Sequence, residues 1–286
     1  LTAVGSSSLT YDAEGNQLTD AAGHVMTYDA WGRMVKWAAG STPPPPSQGP
    51  AYASYPYDAL GRRVLRYEAG PGGEVYADEP VYLVAGMDGR TLAEYRDPAL
   101  YPSARGTHYV WSPVLSMTLV CRDEVSGPEG YAEVDPWEVG PFEAPPVVTE
   151  RVYAEQDANG NVVATVRGAW DGFSASWETG RERYESDPYG GNALVLTDSF
   201  APKTGGSDRD WSNLFQGGFT DSLSGLVHFG AREYDPVLGR WTRQDPLRYV
   251  DGANLYGFVR GSPLRYTVRT GLEIPDCGGL RCKCRR

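Results

Sequence analysis

The feature that most restricts the fold is a short unit recurring along the first part of the chain. An apolar or β-branched run ends in Tyr, followed by Asp, two variable residues, Gly, and then Asn or Arg leading into the next run. It reads Leu9-Thr10-Tyr11-Asp12-Ala13-Glu14-Gly15-Asn16, then Met26-Thr27-Tyr28-Asp29-Ala30-Trp31-Gly32-Arg33, then Tyr57-Asp58-Ala59-Leu60-Gly61-Arg62. An internal repeat decides architecture before any single residue does. Asp bonds backbone amides just downstream of itself, and Gly supplies the positive-φ position that closes a reversal. Each unit therefore predicts a β-hairpin with Tyr at the end of a half-buried strand. A lone hairpin is marginal in water, so stability must come from stacking many of them side by side.

Weaker copies extend the pattern. Gly86-Met87-Asp88-Gly89-Arg90 precedes a strand-like run, and Asp157-Ala158-Asn159-Gly160-Asn161 precedes another. Asp187-Pro188-Tyr189-Gly190 carries Gly191 where Asn or Arg is usual, and Asp235 and Gly239 bracket a longer turn. In a chain of 286 residues, 35 Gly, 22 Pro and 19 Tyr against 4 Met favour short strands and tight turns over long helices, so the class is all-β. Asp157, Asn159 and Asn161 imitate the opening of a calcium loop. Gly160 falls at the fourth loop position rather than the sixth, and Gly168 stands where the bidentate Glu belongs, so the stretch reads as a turn.

Three interruptions separate the units. Residues 41–50 contain Pro43-Pro44-Pro45-Pro46, which cannot donate to a ladder, and read as an extended loop. Residues 122–150, with Asp123, Glu124, Glu129, Glu133, Asp135, Glu138 and Glu143, read as a solvated acidic insertion. Residues 201–210 are rich in Gly, Ser and Asp and mark the one domain boundary, near residue 210.

The net charge of −11 argues against a nucleic-acid surface. No run of about eighteen apolar residues is present, so no membrane span is expected. A start at Leu1 rather than Met reads as a fragment, with any targeting signal upstream. Cys121 stands apart, and Cys277, Cys282 and Cys284 lack paired zinc-knuckle spacing, so neither metal nor cofactor is expected. The chain has no G-x-S-x-G elbow, H-E-x-x-H pair or phosphate-cradling Gly loop. His24, His108 and His228 are scattered, which argues against a histidine-dependent site, and His228 reads as a packed strand residue.

Residues 215–272 carry the most specific pattern. Gly225-Leu226, Ala231-Arg232, Tyr234-Asp235-Pro236, Gly239-Arg240-Trp241, Asp245-Pro246 and Asn254-Leu255-Tyr256 follow one another closely, and Ser262-Pro263-Leu264 and Gly271-Leu272 come after. This stretch closely resembles the RHS repeat-associated core domain, and the upstream units resemble YD repeats. The resemblance covers most of the chain. It implies a spiralling antiparallel sheet of hairpins forming a shell or cocoon wall, closed by the core domain. Residues 1–210 are then repeat hairpins, 211–272 the core domain and 273–286 a short tail.

In that family an Arg and two Asp residues cut the chain after a Leu and release a variable C-terminal segment, often a toxin held inside the shell. The resemblance carries these roles to Arg232, Asp245 and the scissile Leu272. The second acid is expected in an Asp-Pro-x-Gly-Leu motif, but here Val268 and Arg269 stand in place of Asp and Pro. Two close carboxylates matter because one ionised partner raises the other's pKa, giving one base and one acid. Valine supplies neither, so self-cleavage is expected to be lost.

The leading functional expectation is structural: the end of a longer bacterial shell protein, secreted or at the cell surface, pairing with upstream repeats and enclosing or presenting a C-terminal segment. Two alternatives stay open. One is an active aspartic self-protease using Asp251 or Asp276 as substitute acid; the other is a carbohydrate-binding adhesion module using exposed Tyr and Trp.

Overall fold

The computed structural model describes residues 3–4, 7–40, 52–69, 80–86, 89–96, 106–113, 118–126, 147–170, 175–177, 180–268 and 270–272. The loop expected at 41–50 and the tail at 273–286, with Cys277, Cys282 and Cys284, lie outside these residues. Apart from two short 3-10 turns, at Tyr249–Asp251 and Val259–Gly261, the described regular structure is all β.

A small hairpin of β1 (Ala3–Val4) and β2 (Ser7–Ser8) comes first. A fifteen-stranded antiparallel sheet follows in near-perfect chain order. It comprises β3 (Thr10–Tyr11), β4 (Gln17–Thr19), β5 (Val25–Tyr28), β6 (Met34–Ala38), β7 (Tyr52–Ser54), β8 (Leu65–Ala69), β9 (Val81–Ala85) and β10 (Thr91–Arg96). It continues with β11 (Gly106–Trp111), β12 (Leu119–Ser126), β13 (Val147–Gln156), β14 (Val162–Trp170), β15 (Ala175–Trp177), β16 (Glu182–Glu185) and β17 (Leu194–Leu196). Both β15 and β16 pair with β14. The order ends at β3 and β17, which do not pair with each other, so this sheet is open. A four-stranded antiparallel sheet follows: β18 (Phe219–Thr220), β19 (Val227–His228), β20 (Glu233–Asp235) and β21 (Arg240–Trp241).

The repeat builds its hairpins through one recurrent turn. At Asp29, the backbone carbonyl accepts from Gly32 N at 2.9 Å and the backbone N–H donates to Arg33 O at 3.0 Å. The carboxylate takes the amides of Trp31 and Arg33, and Arg33 folds back to pair with it at 2.6 Å. Gly32 sits at φ 72°, where a Cβ would be strained. Asp12 with Gly15, Asp58 with Gly61, and Asp157 with Gly160 repeat the backbone pattern. The residue after Gly explains itself as a clamp: Asn16, Arg62 and Asn161 each return a side-chain donor to their Asp. At Asp187 and Gly190 the clamp position is Gly191, and Asn192 Nδ2 takes over at 3.1 Å. Asp20 and Gly23 close the same turn, with His24 as the clamp, although the sequence pattern there has no Tyr.

Because consecutive strands are antiparallel neighbours, turns alternate between the two rims of the sheet. The turns at residues 12–15, 29–32, 58–61, 157–160 and 187–190 fall on one rim, and residues 211–272 run across it. Gly15 O accepts from Tyr256 Oη at 2.7 Å, and Trp31 O from Arg243 Nη1 at 2.9 Å. Val162 N donates to Leu214 O at 2.8 Å, and Tyr189 O accepts from Tyr234 Oη at 2.7 Å.

Apolar packing follows the same division. Phe215, Val227, Phe229, Tyr234, Trp241 and Phe258 form the core under the four-stranded sheet. Inward-facing wall residues form two further clusters, and each is completed from the C-terminal part, one by Leu226 and the other by Trp211. Burial of each such side chain is worth roughly 1.5–3 kcal/mol, so residues 211–272, the cap on this rim, are integral to the wall.

One expectation changes. The interval 122–150 is not all loop: residues 122–126 belong to β12 and 147–150 to β13, with 127–146 outside the described residues. Asp123 is buried there against Arg151 at 2.5 Å, since a charge on an inward position is stable only when paired. Residues 201–210, at the expected boundary, are tied to the sheet. Pro202 and Lys203 run along β17, with Lys203 N donating to Val195 O at 2.9 Å. Buried Glu182 holds Lys203 Nζ at 2.7 Å and Asp208 N at 2.9 Å. Arg122 donates to Asp210 O at 2.7 Å.

Candidate self-cleavage site

The reversal between β19 and β20 positions the site. Phe229 N donates to Arg232 O at 3.1 Å and Ala231 N to Phe229 O at 3.0 Å, forming a tight loop. Ala231 N also reaches Thr270 O at 3.0 Å, so the last described segment docks on this loop. Gly271 passes at φ 71°, where a Cβ would lie 2.9 Å from Phe229 O and 3.0 Å from Arg232 N. Only glycine fits that passage.

Arg232 is buried and grips this segment. Its Nε donates to Gly271 O, and its Nη2 donates to Leu272 O at 2.7 Å. The same Nη2 lies 2.8 Å from Asp245 Oδ2, and the guanidinium stacks 4.2 Å from the Trp241 ring centroid. Its Nη1 finds no partner among the described residues. Burial pulls the guanidinium down to about 10, against the opposing pull of Asp245. Asp245 is fixed in turn by Leu247 N at 2.8 Å and by its own N–H to Leu255 O at 2.9 Å.

Leu272 O is the carbonyl of the peptide bond that joins residue 273. A guanidinium aimed at it is placed to stabilise an oxyanion, and Asp245 supplies one carboxylate. Val268 does not add a second. It is 2% exposed and packs in the aromatic core, while its N–H donates to Gln216 Oε1 at 3.2 Å. Asp251 ends a 3-10 turn and meets Arg260 Nη2 at 3.2 Å. Asp276 and Arg269 lie outside the described residues.

Asp235 Oδ1 takes the amides of Val237 and Leu238, both at 2.9 Å, and Gly239 completes that turn. The Asp157 carboxylate is engaged by Asn159 and Asn161 amides at 2.8 and 2.9 Å, as a turn requires.

Sequence reasoning missed a second buried charge cluster. Glu233 Oε1 receives Arg63 Nη2 at 2.9 Å and faces His228 Nδ1 at 2.8 Å. Burial would raise the Glu233 carboxyl, but His228 and Arg63 outweigh it and hold it below the usual range. Burial and Arg63 push His228 below its ordinary value. Arg63 and Glu233 are 170 residues apart, so no local pattern announces them. A cleft of about 490 Å³ opens beside this cluster, between the wall at Gly61, Arg62 and Arg90 and the cap at His228, Gly230 and Leu272.

No family model matches the chain. Toxin subunit YenC2 of Yersinia entomophaga is 36% identical over 89 residues, 31% of this chain and 9% of that protein. Toxin subunit YenC1 of the same organism is 26% identical over 257 residues, 89% of this chain and 22% of that protein. The chain thus spans less than a quarter of the length of these curated relatives. A crystal structure of TcdB2-TccC3 without its hypervariable C-terminal region matches 92% of this chain and 11% of its own, at 20% identity and TM-score 0.60. The chain therefore shares the open, hairpin-built β fold of a stretch of TcdB2-TccC3.

Proposed function

We propose that this chain is the C-terminal portion of a longer bacterial RHS/YD-repeat protein, secreted or at the cell surface, in which residues 1–210 form shell wall. Residues 211–272 are the core domain that caps one rim and fixes where the chain leaves toward an enclosed or presented C-terminal segment. The observation that carries this reading is Arg232, which holds the Gly271 and Leu272 carbonyls with Asp245 beside it. The relatives support it, since two are toxin subunits and TcdB2-TccC3 has a hypervariable C-terminal region.

Two-carboxylate self-cleavage is lost, because the second position holds buried Val268. General acid catalysis contributes about a hundred- to ten-thousand-fold, so the chain stays intact over hours in which a complete site would cut. Val268→Asp with Arg269→Pro restores a break after Leu272, and adding Asp245→Asn removes it. Intact mass of these three proteins decides the matter. A wild-type chain that breaks rapidly, and stops doing so in Asp251→Asn, would favour an active protease with Asp251 as second acid.

A further inference from the structure

A histidine sits in the joint between wall and cap, and histidine is the side chain whose charge changes closest to neutral pH. His228 on β19 and Glu233 on β20 are direct partners in the strand register, so both side chains stand on one face of the cap. Arg63 reaches them from the wall. Its Nη2 donates to Glu233 Oε1 at 2.9 Å, and His228 Nδ1 meets the same oxygen at 2.8 Å. One carboxylate oxygen thus serves two nitrogens, one across the joint and one within the cap.

Glu233 is held ionised and can only accept, so neutral His228 donates to it from Nδ1. A second proton on the imidazole would set a new cation near the Arg63 guanidinium, and the Arg63 and Glu233 side chains are each only 5% exposed. Two buried cations would then share one negative charge. Undocking removes the conflict: Arg63 leaves with the wall, while His228 and Glu233 stay together on the cap as a pair of opposite charge.

We propose that Glu233 is the counter-ion of a proton-driven latch: at neutral pH it holds Arg63 across the joint, and in acid the protonated His228 claims the same oxygen and loosens cap from wall. The latch goes beyond containment, since it makes closure of this rim depend on pH, and it needs no self-cleavage.

The charges around His228 have the sign such a latch requires. Arg63 faces it from the wall, with Arg62 and Arg90 across the cleft, and Arg66 stands over the ring of Phe219, its other register partner. From the cap come Glu233 and Asp221, and Arg243 acts on Glu233. The Asp221 carboxylate is already taken by Tyr55 Oη, which donates at 2.8 Å, and by the amides of Leu223 and Ser224. Tyr55, Tyr57 and Tyr109 stay protonated, because burial raises all three. Burial first, and Arg63 second, push the imidazole below its ordinary value against the pull of Glu233. The docked cap therefore binds a proton less readily than an undocked one. Docking is strongest above the ordinary imidazole range and weakens as pH falls through it.

The test reads hydrogen exchange at the Gln17 amide, which crosses the joint to Thr242 O at 2.9 Å; Thr242 N in turn bonds Glu233 O at 3.0 Å. After correction for intrinsic rates, opening in the full chain is expected to rise about threefold or more between about pH 7.5 and pH 5. His228→Gln, which keeps a donor for Glu233 but takes no proton, and His228→Phe should both lose that rise, whereas His24→Gln should keep it. A flat wild-type response overturns the latch. So does an equal rise in the His228 variants, because another group would then carry the protons. Should both variants fail to fold, proton NMR titration of the wild type decides: a His228 imidazole that titrates at or above its ordinary value overturns the latch, and one depressed below it, with Gln17 opening along the same curve, supports it.

Discussion

Arg232 and Glu233 are neighbours in sequence, yet each belongs to a different buried ion pair, and the two pairs do different things. Arg63–Glu233 is closed on itself: the carboxylate also holds His228, and the Arg63 guanidinium stacks 3.9 Å from the Tyr55 ring centroid. It ties wall to cap. Arg232–Asp245 is open: its remaining donors reach the main-chain carbonyls of Gly271 and Leu272. A buried pair is weak grounds for stability by itself, because desolvation offsets attraction. What separates the two is where the leftover hydrogen-bonding capacity points.

Removing one partner of the closed pair is expected to do the most damage. Arg63→Ala leaves Glu233 buried without its cation and should cost about 3–5 kcal/mol in denaturant unfolding. Arg63→Met with Glu233→Leu should recover most of that loss; no recovery would mean the pair is more than a satisfied charge.

The Glu182–Lys203 pair, far from both, sharpens the contrast. Burial would raise the Glu182 carboxyl, but Lys203, Ser207 and Tyr184 outweigh it and hold it at about 2. Since the folded pKa is depressed, its contribution is present above the ordinary carboxylate pKa and is lost as pH falls from about 4.5 toward 2. The full contribution is about 3 kcal/mol. Glu182→Gln should flatten that part of the stability curve, and an unchanged curve would mean the anchor at residues 203–208 is not coupled to global unfolding.

Arg232→Met should cost less, about 1.5–3 kcal/mol, because Asp245 retains the Leu247 amide. Its signature is local: faster hydrogen exchange at Ala231, whose N–H holds Thr270 O, with the Arg63 side undisturbed. Smallest of all is Asp29→Ala at a wall turn, at about 1–2 kcal/mol, with Asp29→Asn recovering part of it in thermal melts.

The wall was legible because its instructions are local. Asp, Gly and the clamp residue lie within five positions, and the spacing that closes the turn is the spacing that reveals it. Asp20-Ala21-Ala22-Gly23 escaped because the Tyr that makes the other units conspicuous packs the strand and takes no part in the turn. Asp123 misled because it stands among acids, and only the strand register brings Arg151 beside it. Residues Arg232, Asp245 and Leu272 came from the family resemblance rather than from spacing, and Glu233 with His228 could not be paired until β19 and β20 were seen to face each other.

The alternation of turns carries a rule about inheritance. Every turn bonded to the cap is separated from the next by an even number of sheet positions, with β15 and β16, which both pair with β14, counted as one, since only alternate turns reach that rim. Inserting or deleting one strand would send all later turns to the opposite rim and strip Tyr189 of its bond to Tyr234, whereas gaining or losing a whole hairpin leaves parity intact. Lineages of such walls should therefore differ in length by strand pairs, as a zip fastener lengthens only by matched teeth.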